Sequence, residues 1–163
     1  MEPREEVLAL LAENARYTLE DIARMTDLTA AEAEALIAEL EDEGVIAGYQ
    51  AVVNWRVADR ERARAEVELN VTLDRETSYD DIARRIAGFP EVKTLQLVSG
   101  NYDFLARVEA GSTREISRFV SERIAPVPEI TQTVTHFVMD TYKEQGIQMN
   151  GGGDEDDRLS ISP

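Results

Sequence analysis

The sequence predicts an α+β chain built in two parts: three short helices, then a four-stranded antiparallel sheet with two helices on one face. Three observations carry that prediction. The first fifty residues place apolar side chains at helical spacing, interrupted by capping residues and the tight turn MTDLT. Residues 55–62, WRVADRER, lose all periodicity. Beyond them apolar and polar residues alternate, and the elements run strand, helix, strand, strand, helix, strand.

Each element follows from local signals. Val7, Leu8, Leu10 and Leu11 form the stripe of a first helix that ends near Asn14. Thr18, with Asp21 three residues on, caps a short second helix whose stripe is Leu19, Ile22, Ala23 and Met25. After MTDLT, Thr29 and Glu32 form a capping box. Ala33, Leu36, Ile37 and Leu40 give the third helix a buried face, and Gly44 ends it. Three helices joined in this way make a helix-turn-helix, winged-helix-like domain, the arrangement whose third helix enters the major groove of DNA. VIAGYQAVVN, residues 45–54, has the β-branched content of a strand, either a small wing or an edge strand.

In the second part Ala65, Val67, Leu69, Val71 and Leu73 alternate with polar residues, as a half-buried strand requires. YDDIARRIAGF is a helix with Ile82, Ala83 and Ile86 on one face. VKTLQLVSG and NYDFLARVEA are strands joined by a turn at Ser99, Gly100 and Asn101. REISRFVSERIA is the second helix, and EITQTVTHFVM a Thr-rich final strand. That order is the ferredoxin-like βαββαβ motif, with a sheet face left uncovered by this chain and available to a second subunit or a ligand. The expected organisation is a helix-turn-helix domain over 1–54, a linker over 55–62, a ferredoxin-like effector-binding and dimerisation domain over 63–143, and an acidic disordered tail over 144–163.

Composition narrows the function. The chain holds 163 residues with 33 acids against 17 bases, a net charge of −16. Such a balance opposes nucleic-acid binding, whose affinity rests on neutralised phosphates. Molar salt shortens the Debye length to about 3 Å and removes most of that opposition. Lys93 and Lys143 are the only lysines, and an acidic, lysine-poor chain that keeps arginine resembles proteins of salt-loving archaea, so a halophilic source is expected. The absence of Cys excludes disulfides, thiolate metal sites and Cys nucleophiles. With no apolar run long enough for a signal peptide or a span, a cytoplasmic protein without a membrane partner is expected.

EDEGVIAGYQAVVN, a linker, and FPEVKTLQLVSGNYDFLARV occur in that order at this separation. Over residues 3–143 the chain therefore resembles the leucine-responsive regulatory protein (Lrp/AsnC) family of transcription regulators. The resemblance implies a regulator that binds double-stranded promoter DNA and responds to a small effector, an amino acid, at the interface of its second domain. It also implies a homodimer formed through the sheets, which stacks into an octamer; the acid-rich third helix leaves open a mixed oligomer with a more basic paralogue. The residues expected at DNA are Arg16, Thr18, Arg24, Thr29, Ala30, Ala31, Ala33 and Glu34. Those expected at the effector are Ser99, Gly100, Asn101, Tyr102 and Asp103, with Thr133 and Thr135 from the last strand; Thr131 lies on the same strand face, and all three threonines read equally as exposed strand residues. In that loop Gly100 and Asn101 tolerate positive φ, and Asp103 offers a carboxylate to an amino group. The same stretch also reads as a plain hairpin turn with Tyr102 and Phe104 in the core.

One stretch departs from the family. Where its members carry Arg or Lys along the third helix, this chain has Ala35, Leu36, Ala38 and Glu39. LTAAEAEALIAELEDEG, residues 28–44, holds six acids and no base, so it lacks the donors that read base edges. An alternative therefore stays open: a sensor or hetero-oligomer partner that keeps the dimerising domain and contacts protein rather than DNA. His136 stands alone and is expected to be packed or hydrogen-bonded, Asp80 and Asp81 to be solvated, and Trp55 to anchor the linker. No phosphate loop, His pair or nucleophile constellation is present, so no enzyme, cofactor or metal is expected.

Overall fold

The computed structural model describes residues 2–58 and 62–149, and the chain divides into two compact units at Ala51/Val52. The first unit holds α1 (Pro3–Glu13), α2 (Leu19–Met25) and α3 (Ala30–Asp42). Pro3 opens α1 at the first turn, where a missing N–H costs nothing. Thr18 with Asp21, and Thr29 with Glu32, close complete capping boxes at α2 and α3. The Thr18 and Thr29 backbone N–H groups hold the Asp21 and Glu32 carboxyls below the usual range. Val7, Ile22, Ala33 and Leu40 are the sealed core, with Leu36, Ile37 and Ile46 packed against it. At the end of α3, Gly44 takes φ 72°, a left-handed turn that suits glycine, and the Ile46 N–H donates to the Leu40 carbonyl at 3.0 Å.

The strand expected over 45–54 does not form. A strand needs a backbone partner, and the described residues of the first unit contain no second strand to supply one. Side chains hold the segment instead: Ile46 packs on the helices, and the Tyr49 hydroxyl donates to Glu41 at 2.7 Å.

The second unit has the expected order: β1 (Ala63–Val71), α4 (Tyr79–Ala87), β2 (Val92–Leu97), β3 (Phe104–Ala110), α5 (Thr113–Phe119) and β4 (Ile130–Phe137). All neighbours are antiparallel in the sheet order β2-β3-β1-β4. Ala65, Val67 and Leu69 on β1, with Phe104, Ala106 and Val108 on β3, face α4 and α5. Ile82, Ile86, Ile116 and Phe119 meet them, and Tyr79 stacks edge-on against Phe104 with ring centroids 5.9 Å apart. The helix after α5 widens into a π-turn over Val120–Ile124 that buries both its end residues, which apolar spacing alone does not reveal.

The assignment of 144–163 to an irregular tail is corrected at its start. Lys143–Glu144 and Ile147–Gln148 form a two-residue-turn hairpin, β5 and β6, with Gln145 at φ 47° and Gly146 at φ 81°. Strands of two residues are too short to show a period. The rest of that tail, 150–163, lies outside the described residues.

Candidate functional site

In the helix-turn-helix unit the outward face of α3 consists of Ala31, Glu32, Glu34, Ala35, Ala38, Glu39, Glu41 and Asp42, all exposed. Of the residues expected at DNA, Arg16, Thr18, Arg24, Thr29, Ala31 and Glu34 are exposed and Ala30 is half-buried. Ala33 is corrected: at 0% exposure it belongs to the helical core, where its position one turn before Leu36 and Ile37 puts it. The threonine hydroxyls are occupied in their capping boxes, and Arg24 bonds Asp21. Arg4 bonds Glu39 and Glu43, which leaves Arg16 as the arginine of this unit whose guanidinium has no partner among the described residues. No α3 side chain offers a donor to a base edge.

In the sheet unit, residues 99–103 connect β2 to β3 at the end where β1 finishes. Gly100 takes φ 141°, as its position in the turn requires, whereas Asn101 stays out of the left-handed region. The Asp103 backbone N–H donates to Leu69 O at 2.9 Å. Its carboxylate accepts the Val71 N–H at 2.9 Å and the Tyr79 hydroxyl at 3.3 Å. Asp103 thus fastens the loop to β1 and to the first turn of α4. Asn70 completes the fastening: its amide donates to Asn101 O at 3.0 Å, and its own carbonyl accepts the Thr131 hydroxyl at 3.2 Å. Tyr102 is half-buried and Phe104 buried, so the hairpin-core reading holds for Phe104.

Thr133 and Thr135 stand opposite Leu69 and Val67, on the helix-bearing face of β4. No hydrogen bond joins them to the loop among the described residues; Thr131 is the β4 hydroxyl linked to it, through Asn70. Thr131 is marked in the sequence by the alternating row Thr131, Thr133 and Thr135, whereas Asn70 and Tyr79 carry no sequence signal, because only the fold brings them to Asn101 and Asp103.

The open face of the sheet is a charge ladder. Arg107 pairs with Glu66 at 2.9 Å and Glu144 at 3.0 Å, and Arg64 pairs with Glu109 at 3.1 Å and Glu144 at 2.6 Å. Burial works to raise the Glu144 carboxyl, but Arg64 and Arg107 outweigh it and hold it below its ordinary value. His136 Nε2 and Glu68 Oε1 are hydrogen-bonded at 2.9 Å with the carboxylate accepting, the hydrogen-bonded role expected of this histidine. The hairpin that carries Glu144 therefore covers one end of a face expected to be bare.

At that end, opposite the loop, lies a cleft of about 730 Å³. Val53, Asn54, Trp55, Arg56 and Arg62, the end of β4 and the hairpin line it. The Asn54 amide donates to Met149 O at 2.5 Å, and the Arg62 guanidinium lies 4.1 Å from the Trp55 ring centre. None of the residues expected to hold an effector lines this cleft. Among the described residues no cluster of His, Cys, Asp and Glu could hold a metal ion, and no helix is long and apolar enough to cross a membrane.

Comparisons with known proteins agree with this two-part architecture. A family model described as the Lrp/AsnC ligand binding domain matches residues 64–147, and one described as a winged helix-turn-helix DNA-binding domain matches residues 3–47. An uncharacterized HTH-type transcriptional regulator of Bacillus subtilis, YugG, is 36% identical over 99% of this chain and 98% of its own length. The proline dehydrogenase transcriptional activator of Rhizobium radiobacter is 29% identical, covering 86% of this chain and 90% of that protein. Among solved structures, the leucine response regulatory protein LrpA of Mycobacterium tuberculosis matches with TM-score 0.74 at 22% identity, over 91% of this chain and 99% of that one. A Neisseria meningitidis transcriptional regulator in complex with L-Met matches with TM-score 0.69 at 20% identity, over 92% of this chain and 97% of that one. With a ligand-binding match over more than half its length, a helix-turn-helix match before it and a full-length relative at 36% identity, the chain belongs to the Lrp/AsnC family of helix-turn-helix transcriptional regulators.

Proposed function

We propose that the chain binds promoter DNA as a homo-oligomer through α2 and α3, and that an amino acid at the 99–103 loop modulates that binding. The observation that carries the reading is the pairing, in one chain and in order, of the helix-turn-helix match at 3–47 with the ligand-binding match at 64–147. At DNA, Arg16 supplies a phosphate contact while the Ala30 and Ala31 methyls meet thymine methyls in the groove. So little hydrogen bonding leaves sequence preference to groove shape and deformability. At the loop, the Asp103 carboxylate has two protein partners and retains acceptor capacity for an amino group. The Neisseria relative bound to L-Met supports an amino acid as the effector class. The open sheet face, with rows of both signs, suits pairing with a second copy and further stacking.

A second reading has its own observation: α3 presents no donor, so a mixed oligomer in which a more basic paralogue reads the bases fits the same surface. DNA binding to the chain's own upstream region separates the two, titrated from about 0.1 to 3 M KCl with and without a mixture of amino acids. A specific complex that persists at high salt and responds to the mixture is expected. Absence of a specific complex at every salt overturns the homo-oligomeric reading and favours the paralogue.

A further inference from the structure

The cleft between the linker and the end of the sheet is built from groups that the loop and helix readings leave unused. Its walls differ in kind. Phe137, Met139 and Met149 supply an aromatic face and two thioethers, Met139 being 93% exposed. Such sulfurs pack favourably at the edges of aromatic rings. Of the three arginines at the rim, Arg64 is saturated by Glu109 and Glu144, and Arg56 is bonded to Asp140 at 2.9 Å. Arg62 differs: its guanidinium carbon lies 4.1 Å from the Trp55 ring centre, and it has no ion pair among the described residues. A guanidinium held against an aromatic face keeps its N–H donors, and such a group receives a carboxylate through two parallel hydrogen bonds.

We propose that this cleft binds a small carboxylate carrying an aryl side chain, with the carboxylate on Arg62 and the ring among Phe137, Met139 and Met149. The site is independent of the 99–103 loop, which lies at the other end of the sheet. Asn54, tied to Met149, and Trp55, which lies against Arg62, form part of its floor. A bound carboxylate would therefore add a contact to Arg62 beside Trp55, giving the regulator a second input.

Trp55 is the single tryptophan of the chain, so its fluorescence reports on this cleft alone. The full-length protein is titrated with hydrocinnamate, L-phenylalanine and phenethylamine, which share a phenyl group and differ in carrying a carboxylate, both charges, or an ammonium only. Saturable changes in Trp55 emission with the first two and none with the third are expected. Arg62→Gln should weaken hydrocinnamate binding about tenfold or more, because charge-assisted bonds to a guanidinium are lost, and Arg62→Lys should weaken it less. Gly100→Val, a loop change, should leave the titration intact, so failure of the loop reading and failure of this one are distinguishable. The proposal is overturned by any one of three results: no saturable change with either carboxylate, equal binding by Arg62→Gln, or a Trp55 signal that follows protein concentration rather than probe, which would mean a second copy fills the cleft.

Discussion

The two ends of the sheet are organised in opposite ways. At the loop end, Asp103, Asn70, Tyr79 and Thr131 satisfy one another, and Phe104 sits sealed at 2% exposure. At the linker end, arginines and acids line an open cleft, and Phe137 is 38% exposed. The loop end is built by backbone and side-chain hydrogen bonds that close on themselves, which rigidifies it; the linker end leaves side chains available. A family resemblance directs the eye to the first, whereas free volume is found at the second. Preorganised and accessible are different properties, and one sheet can keep them at separate ends.

Substitutions can break or sharpen that contrast. Phe104→Ala removes a ring packed edge-on against Tyr79 and should cost about 3–5 kcal/mol in urea unfolding. The matching Phe137→Ala, at a site open to solvent, should cost under about 1 kcal/mol; equal losses at the two ends would erase the distinction. Next in size, Asp103→Ala leaves the Val71 N–H and the Tyr79 hydroxyl without their acceptor and should cost about 1–3 kcal/mol, with faster amide exchange at Val71. A neutral result would show that solvent replaces the carboxylate and that the loop is not closed on itself.

At the linker end, Glu144→Gln should cost about 1–2 kcal/mol at neutral pH, because one carboxylate serves both Arg64 and Arg107. Its pH dependence has a definite sign. Burial raises the Glu144 carboxyl but the two arginines lower it further, so its folded value lies below the ordinary 4.5. Its stabilisation is present above that ordinary value and lost as pH falls through the folded one. The wild type should therefore lose more stability than Glu144→Gln on acidification below about pH 4.5, a difference that thermal melts across pH 3–6 would read. The smallest effect belongs to Arg56→Ala, whose ion pair with Asp140 has an arginine side chain 78% exposed. It should change stability by no more than about 0.5 kcal/mol.

Much of the sheet unit was legible because its residues obey one period. Ala65, Val67 and Leu69 alternate, and all three are sealed on the helix-bearing face. The helical unit was legible through Thr18, Thr29 and Gly44, whose local chemistry fixes where helices start and stop. Residues 45–54 misled for a physical reason: β-branched content describes a preference, and a strand exists only where another backbone receives its hydrogen bonds. Ala33 could belong to the core or to a groove contact by composition, and only its phase on α3 decides. Within the candidate sites, the turn at Gly100 could be read from one residue type. The cleft could not, since Trp55, Phe137 and Met149 meet only through the fold.

The position of β1 in the sheet sets the timetable of its formation. It is a central strand, yet Leu69 pairs with Phe104 and Ala65 with Phe137, and Arg64 meets Glu144 still later in the chain. At about 5–20 residues per second of synthesis, the first of those partners emerges roughly 2–7 seconds after Leu69 and the second about 4–14 seconds after Ala65. The three-helix unit is complete by Ala51 and closes on local contacts. A nascent chain therefore carries a finished helical unit ahead of an unpaired apolar strand for seconds. In that interval β1 is the segment most exposed to a holdase chaperone or to the same strand on a neighbouring ribosome of the polysome.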